Sequence, residues 1–211
     1  MKTIALLSQK GGAGKTTLAL CLTVAAELEG RTAALLDLDP QATACNWGDR
    51  REAETPVITD VQPARLHKAL ERADQEGCDL VVLDTPPRSE HAALEAAKAA
   101  DLIVLPVRPS IYDLETLRAS QELIRMAGAE KPAVVVLNAV PARGSRGHDA
   151  EKAITELGLE VLNRYLGHRQ AYADAATVGL TPQEYEPSSK AAQECRNVYM
   201  AIREHAAMKD T

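Results

Sequence analysis

The sequence is poor in aromatic residues and contains no phenylalanine. Aromatic side chains make up 3% of its 211 residues, which speaks against base stacking on single-stranded nucleic acid. Its four cysteines, at positions 21, 45, 78 and 195, show no two-residue spacing. That arrangement argues against a zinc ribbon or a disulfide framework and favours a reducing, cytoplasmic environment.

Long apolar runs and excess positive charge are also lacking. No run approaches the roughly 18 residues of a membrane span, and the four apolar residues at 4–7 are too few for a signal-peptide core. Lysine and arginine number 24 against 30 aspartate and glutamate, for a net charge of −6. With 45% hydrophobic residues and no repeat or low-complexity linker, we expect residues 1–211 to fold as one soluble, intracellular domain.

Short, nearly continuous apolar runs alternate with longer segments of helical spacing. Such runs are typical of strands buried on both faces of a parallel sheet. One helical stripe extends from Leu18 to Leu28, and a second extends from Ile111 to Ile124. The pattern predicts a three-layer α/β fold with a mostly parallel sheet, whose ligands bind beyond the carboxyl ends of the strands. The predicted strands are 3–8, 32–37, 80–84, 102–107 and 133–138.

The first predicted strand runs directly into a glycine-rich segment that opens a helix. Its glycines allow successive backbone N–H groups to point at phosphate oxygens, and the helix N-terminus adds a partial positive charge. Lys15 can reach the terminal phosphates, and the Thr16 hydroxyl suits Mg²⁺. The predicted phosphate-binding loop consists of Gly11, Gly12, Ala13, Gly14, Lys15, Thr16 and Thr17.

The start of this loop departs from the common phosphate-loop pattern. Gln9 stands where a glycine is usual, and Lys10 follows it. A lysine this early does not easily fold back onto its own nucleotide, so its charge is most useful against a phosphate held by another subunit. A solvated lysine at a strand end is the alternative interpretation.

Carboxylates follow two of the apolar strands. Asp37 and Asp39 lie two residues apart at the end of the second predicted strand, and Asp84 ends the third. Carboxylates at this edge can hold Mg²⁺ or orient an attacking water. A helix cap or a turn is the alternative for each residue alone. The last predicted strand ends at Asn138, whose amide matches the hydrogen-bonding edge of adenine, although turn chemistry also explains an asparagine there.

Taken together, three segments resemble the motifs of the deviant-Walker ATPases of the ParA/MinD superfamily. They are residues 10–17, 37–41 and 84–87. The stretch Leu105-Pro106-Val107-Arg108-Pro109-Ser110 and the tail from Arg169 to Glu194 also follow the ParA pattern. The resemblance covers essentially the whole chain. It is closest to small ParA proteins without an N-terminal helix-turn-helix domain, for which we expect no room ahead of the loop.

This resemblance implies slow ATP hydrolysis with Mg²⁺ and an ATP-dependent homodimer that holds two nucleotides at its interface. Lys10 would reach the partner's phosphates, Lys15 would bind the β- and γ-phosphates, and Asp39 would position the hydrolytic water. The remaining implied roles are magnesium binding by Thr16, Asp37 and Asp84, and adenine binding by Asn138 and the region of Pro187.

The resemblance also implies that the ATP-bound dimer binds DNA without sequence preference and is found on the nucleoid. A cargo-bound partner, ParB-like or a small adaptor, would stimulate hydrolysis and release it. Residues 139–211 carry a net charge of −1 and residues 1–138 carry −5, so a DNA contact needs a local patch that dimerisation doubles. The candidates, each of which alone is more typical of a solvated surface charge than of a DNA contact, are Arg143, Arg146, Arg164, Arg169, Lys190, Arg196 and Arg203.

Two other classes of protein compete with DNA partition. A MinD-like membrane-positioning ATPase needs a basic amphipathic C-terminal helix, whereas Glu204 and Asp210 offset the cations of the tail 197–211, so we expect a packed helix and no membrane partner. An iron-protein reductase needs cysteines that bridge a cluster, and a related tyrosine kinase needs a tyrosine-rich tail. The sequence offers neither feature.

Overall fold

The computed structural model describes residues 1–128 and 132–208. Within them, seven strands form one sheet in the order β3-β2-β4-β1-β5-β6-β7, and every neighbouring pair is parallel. The strands are β1 (Lys2–Leu6), β2 (Ala33–Asp37), β3 (Val57–Asp60), β4 (Leu80–Asp84), β5 (Leu102–Val107), β6 (Ala133–Leu137) and β7 (Glu160–Val161).

Helices cover both faces of this sheet and give three layers. Alternate residues of each central strand enter two separate apolar clusters: Ile4 faces one and Ala5 faces the other. The helices are α1 (Lys15–Leu28), α2 (Thr43–Gly48), α3 (Leu66–Gln75), α4 (Glu90–Ala99), α5 (Ile111–Leu114), α6 (Leu117–Met126), α7 (Arg146–Glu156), α8 (Ala171–Thr177), α9 (Pro182–Tyr185) and α10 (Lys190–His205), with a 3₁₀ turn at Pro63–Arg65.

The predicted three-layer fold is confirmed, and all five predicted strands are present. Their ends lie within two residues of the predicted ones. The pattern did not predict β3 and β7, which lie at the two edges of the sheet. Val57 in β3 is 56% exposed and β7 has only two residues, so neither forms the buried apolar run that marks the central strands.

The prediction of one continuous helix from Ile111 to Ile124 was wrong. The structure divides this segment into α5 and α6. Ser110 caps the start of α5 by accepting a hydrogen bond from the Asp113 N–H, and α5 ends after one turn. Ile111 was predicted on the buried stripe but is 63% exposed. The first helix extends three residues further toward its N-terminus than the stripe, and Gly30 follows it with φ +81°.

The C-terminal helix packs against the body of the protein, as predicted. Val198, Tyr199 and Ile202 of α10 are buried in the cluster that α1 also enters. Residues 209–211, which include Asp210 of the predicted tail, lie outside the described residues. Across the described ranges, no helix combines the length and apolar character needed to cross a bilayer.

Candidate nucleotide-binding site

The glycine-rich loop lies between β1 and α1 at the carboxyl edge of the sheet. Gly12 and Gly14 have φ of +77° and +93°, values that glycine adopts without strain. A Cβ at position 14 would lie 1.9 Å from Nδ2 of Asn138, so only glycine fits there. The loop borders a cleft of about 250 Å³, lined by Gly12, Gly14, Lys15, Thr16, Thr17, Asp39, Thr85 and Pro87.

Lys15 projects from the start of α1 and is only 6% exposed. Its Nζ donates a hydrogen bond to the Ser8 carbonyl at 3.3 Å. Burial lowers the pKa of Lys15, although the carboxylates of Asp84 and Asp39 oppose that shift. A cation held in a partly desolvated position beside a glycine-rich loop attracts phosphate more strongly than it would in water.

Thr16 and Asp84 meet across the cleft although 68 residues separate them in sequence. The Thr16 hydroxyl donates to Oδ2 of Asp84 at 2.6 Å. The other oxygen, Oδ1, is buried and has no hydrogen-bond partner among the described residues. Burial, together with the charge of Asp37, raises the pKa of Asp84 to about 7, although the Thr16 hydrogen bond opposes this. A buried carboxylate oxygen without a partner is suited to receive a cation.

Mg²⁺ fits this pair of residues better than it fits a cage made of protein ligands alone. Magnesium is commonly held by one or two side-chain oxygens together with substrate phosphates and water. Thr16 and Asp84 supply a hydroxyl and a carboxylate beside the phosphate loop. Within residues 1–128 and 132–208, no group of three or more His, Cys, Asp or Glu is arranged to hold a metal.

Replacing Asp84 by asparagine should stabilise the protein in the absence of nucleotide. Its carboxyl pKa is raised from 3.8 to about 7, so the folded state binds the proton more tightly than the unfolded state does. Stability from this group is therefore greatest at low pH and is lost as pH rises toward 7. We expect Asp84→Asn to raise Tm by about 5–10 °C at pH 8 and by less at pH 5, measured by circular dichroism.

Asp60 at the exposed end of β3 provides the matched control. Asp60→Asn should change Tm by no more than about 2 °C at either pH, because exposed substitutions rarely shift stability. An unchanged or lower Tm for Asp84→Asn at pH 8 would show that the buried carboxylate does not destabilise the fold.

Asp37 and Asp39 come together at the end of β2, but their carboxylates have different surroundings. Asp37 is 1% exposed, and its two oxygens accept the backbone N–H of Asp39 at 3.0 Å and of Ala44 at 2.9 Å. Burial raises the pKa of Asp37, against the effect of these hydrogen bonds. Asp39 is only half-buried and lines the cleft. Asp37 thus shapes the loop that presents Asp39.

The two predicted adenine residues lie in different places. Asn138 contacts the phosphate loop: its Nδ2 donates to the Ala13 carbonyl at 2.8 Å, and its Oδ1 accepts the Ala139 N–H. Pro187 is exposed between α9 and α10, where its carbonyl accepts a hydrogen bond from Arg196 at 2.9 Å. Neither is among the described residues that line the cleft. Asn138 braces the loop through these hydrogen bonds.

Lys10 is not among the described residues that line the cleft. Its Nζ donates to Oδ2 of Asp113 at 2.8 Å and lies 5.6 Å from the ring centre of Tyr112. Asp113 is buried and also accepts hydrogen bonds from Arg108 and Ser110. Burial alone would raise the pKa of Asp113, but the hydrogen bonds from Lys10, Ser110 and Arg108 outweigh it and lower that pKa.

The sequence did not reveal Asp113 as the partner of Lys10. Ser110 and Asp113 have the spacing of a helix cap. That spacing explains why both residues occur there, so nothing in the sequence indicated that Asp113 pairs with Lys10. Arg108 belongs to the proline-containing stretch after β5, and its Nη1 lies 3.9 Å from a Cβ built on Gly12. Both Arg108 and Asp113 border the phosphate loop because β5 pairs with β1.

The structure divides the seven predicted DNA-binding residues into two groups. Arg169 forms a two-pronged pair with Glu194, Arg203 pairs with Glu29 at 3.0 Å, and Arg196 donates to Pro187. The side chains of these three residues are therefore held within the fold. The exposed residues are Arg143, Arg146, Arg164 and Lys190.

Three of the exposed residues lie on neighbouring loops. Val140 and Gly167 form a parallel bridge, which places the loop after β6 beside the loop after β7. Arg143 and Arg146 belong to the first loop and the start of α7, and Arg164 belongs to the second. We call Arg143, Arg146 and Arg164 the basic patch. Lys190 lies apart from it, at the start of α10.

Comparison with known proteins identifies relatives that match nearly the whole chain. A family model described as the CobQ/CobB/MinD/ParA nucleotide binding domain matches residues 4–182. Maintenance of carboxysome distribution protein A of Gloeobacter kilaueensis is 31% identical over 206 residues, which cover 96% of this chain and 93% of that protein. The chromosome-partitioning ATPase Soj of Thermus thermophilus is 29% identical, with 94% of each protein covered.

A solved structure extends the comparison to the fold. The septum site-determining protein MinD of Pyrococcus horikoshii, in complex with Mg-ADP, superposes with a TM-score of 0.76. The match covers 97% of both chains at 18% sequence identity. At this identity the likeness concerns the arrangement of strands and helices.

Proposed function

Since the chain belongs to the CobQ/CobB/MinD/ParA family of nucleotide-binding proteins, we propose that it is a positioning ATPase that ATP and Mg²⁺ switch into a homodimer. The dimer binds duplex DNA without sequence preference, and a cargo-bound partner releases it by stimulating hydrolysis. Relatives named for carboxysome distribution and for chromosome partition support this class of function.

The position of Lys10 is the observation that carries the proposal. Lys10 belongs to the glycine-rich loop by sequence, yet its Nζ lies on Asp113, outside the cleft that Lys15 occupies. A cation held at the rim of one cleft can reach a phosphate bound in a second copy facing it. The triphosphate is then shared by two chains, and its hydrolysis removes a group that joins them.

The other residues of the cleft divide the chemistry among them. The loop amides and Lys15 hold the phosphates, and Thr16 with Asp84 holds Mg²⁺, which neutralises charge that develops on the transferred phosphoryl group. Asp39, which also lines the cleft, orients the attacking water. Asp37 acts through the loop, by holding the amides of Asp39 and Ala44.

The basic patch is the part of the surface that we propose for DNA. Its three arginines are exposed on adjoining loops, and Arg164 donates only to the carbonyl of its neighbour Asn163. In contrast, Arg169 and Arg203 pair with carboxylates, and Arg196 holds the carbonyl of Pro187, nine residues away. A dimer presents the patch twice. Six cations offset the overall negative charge only locally, so binding should be weak and strongly salt-dependent.

Duplex DNA binding in the presence of Mg²⁺ and a non-hydrolysable ATP analogue tests the proposal. The wild-type chain should double its mass by light scattering and bind DNA, while with ADP it should do neither. Changing Arg143, Arg146 and Arg164 together to alanine should weaken DNA binding at least tenfold and leave dimerisation intact. The slope of log affinity against log salt should fall by about 0.9 for each DNA phosphate that the variant no longer neutralises.

A triple change of Arg72, Arg118 and Arg125 to alanine removes the same charge from the exposed faces of α3 and α6. This control should bind DNA within about threefold of the wild-type chain. Equal losses in the two triple variants would mean that total charge, and not the basic patch, governs DNA binding. A wild-type chain that stays monomeric with the analogue would overturn the dimer switch itself.

A further inference from the structure

Trp47, Arg51 and Glu184 form a buried cluster outside the cleft that the function proposed above leaves unexplained. Trp47 lies in α2, Arg51 lies just after it, and Glu184 belongs to α9. The cluster joins segments more than 130 residues apart in sequence. We call these three residues the α2–α9 clamp.

The central contact of the clamp is a two-pronged ion pair. Arg51 Nη1 donates to Oε2 of Glu184 at 3.1 Å, and Nη2 donates to Oε1 at 2.5 Å. The two side chains are only 7% and 16% exposed. The Arg51 guanidinium also lies 5.1 Å from the ring centre of Trp47, whose Nε1 donates to the Leu180 carbonyl at 3.1 Å. Paired, buried hydrogen bonds of this kind fix orientation as well as distance.

The backbones beside this pair are pressed together. Gly179 has φ +68°, and a Cβ built on it would lie 2.6 Å from the Arg51 nitrogen. Arg51 Nη1 also donates to the Gly179 carbonyl at 3.2 Å. A close approach that excludes every side chain leaves little room for α2 to slide along α9.

The α9 side of the clamp is anchored to the helix that carries Lys15. Gln183 Nε2 donates to the Cys21 carbonyl of α1 at 3.0 Å, and Gln183 is 3% exposed. Glu184 is held within α9 as well, since its Oε2 accepts the Thr181 N–H at 3.0 Å. Movement of Glu184 relative to α1 therefore requires breaking buried contacts.

The α2 side of the clamp leads directly to Asp39. The Ala44 N–H at the start of α2 donates to Asp37, and the Asp39 N–H donates to the same carboxylate. Ala42, between them, has φ 49°, a conformation that non-glycine residues adopt only when surrounding contacts hold it. Asp39, α2, α9 and α1 thus form a closed ring of contacts that returns to the cleft at Lys15.

We propose that Arg51 and Glu184 are positioning residues for ATP hydrolysis. By locking α2 onto α9, they hold Asp39 at a fixed distance from Lys15 across the cleft. This inference rests on the proposed function, because it requires Asp39 to act on the attacking water. Small displacements of a group that orients a nucleophile cost far more in turnover than in binding, so the clamp should govern kcat and leave nucleotide affinity unchanged.

The test compares Arg51→Ala, Glu184→Gln and the double variant with the wild-type chain. Glu184→Gln keeps the shape and an acceptor for Thr181, so it carries the test if Arg51→Ala does not fold. Each single change should lower kcat for ATP about tenfold, with the Kd of a fluorescent ATP analogue within twofold of wild type. The double variant should be no slower than the slower single variant, because each single change already breaks the same ion pair.

The exposed pair Arg72–Glu76 on α3, 79% and 61% exposed, supplies the matched control. Arg72→Ala and Glu76→Gln should leave kcat within twofold of wild type. Emission of Trp47, the single tryptophan of the chain, should shift to longer wavelength in Arg51→Ala and stay unchanged in the controls.

Three results would overturn the inference. The first is a kcat of Glu184→Gln within twofold of wild type, and the second is a loss of analogue affinity as large as the loss of kcat. The third is a double variant whose fold-loss of kcat equals the product of the two single losses. A wild-type chain that binds the analogue but does not hydrolyse ATP would instead overturn the proposed function, leaving no reaction for the clamp to govern.

Discussion

Asp39→Ala should lower ATP turnover by about 10²–10³-fold while the protein still binds ATP. In the proposed function the loop amides and Lys15 hold the phosphates, and the change replaces none of these groups. Asp39 lines the cleft. Among the described residues, its carboxylate accepts one hydrogen bond, from the Gln41 N–H to Oδ1 at 2.9 Å. Without a carboxylate there, the attacking water loses its orienting partner.

A chain that binds ATP but does not hydrolyse it should remain a dimer. Light scattering should therefore report a dimer for Asp39→Ala in ATP and Mg²⁺, whereas the wild-type dimer should decay as ATP is consumed. Single-turnover assays give the rate. Asp49→Ala, an exposed change at the end of α2, is the control and should hydrolyse at the wild-type rate. Turnover by Asp39→Ala within tenfold of wild type would remove this residue from the chemistry.

The sequence predicted the phosphate loop well because its signals are local. The glycines follow β1 directly, Lys15 and Thr16 begin α1, and Asp84 ends a strand after four buried apolar residues. The carboxyl ends of parallel strands meet at one edge of the sheet, and together with the phosphate loop this edge predicted a magnesium role for Thr16 and Asp84, which are hydrogen-bonded in the structure. The family model confirms the resemblance that those motifs indicate.

Local sequence signals do not predict ion pairs between residues that lie far apart in the sequence. Lys10 and Asp113 lie 103 positions apart, and no sequence pattern pairs them. The helix cap formed by Ser110 and Asp113 already accounts for Asp113, so nothing in the sequence indicated a second partner. Arginine partners pose the same problem. Arg169 and Arg143 look alike in sequence, yet only Arg169 finds a carboxylate, that of Glu194, among the described residues of the folded chain.

The edge strands show a related limit. A hydrophobic pattern identifies a strand only when the side chains of that strand are buried. β3 and β7 pair through their backbones with β2 and β6, but much of their surface is exposed, so they lack this pattern. The adenine-binding role of Asn138 stays a prediction. In the structure its amide donates to the Ala13 carbonyl and fills the space beside Gly14.

Lys10→Ala should abolish ATP-dependent dimerisation while nucleotide binding remains within about threefold of wild type. Lys10 lies outside the cleft, so its loss removes no contact to the nucleotide in its own chain. Lys10 is held by Asp113, which Arg108 and Ser110 also bind. Asp113 therefore keeps two other donors when Lys10 leaves it, so the lysine can exchange a carboxylate for a partner's phosphate without leaving a buried charge unpaired.

Analytical ultracentrifugation with Mg²⁺ and a non-hydrolysable ATP analogue measures this effect. Wild type should sediment as a dimer, and Lys10→Ala should stay a monomer at concentrations at least 100-fold above the wild-type dissociation constant. Lys98→Ala is the matched control, since Lys98 is an exposed lysine of α4 paired with Glu95, and it should dimerise normally. If Lys10→Ala still dimerised, Lys10 would not be the cation that contacts the partner's phosphate. Arg108, the other cation that binds Asp113, would then be the next residue to change.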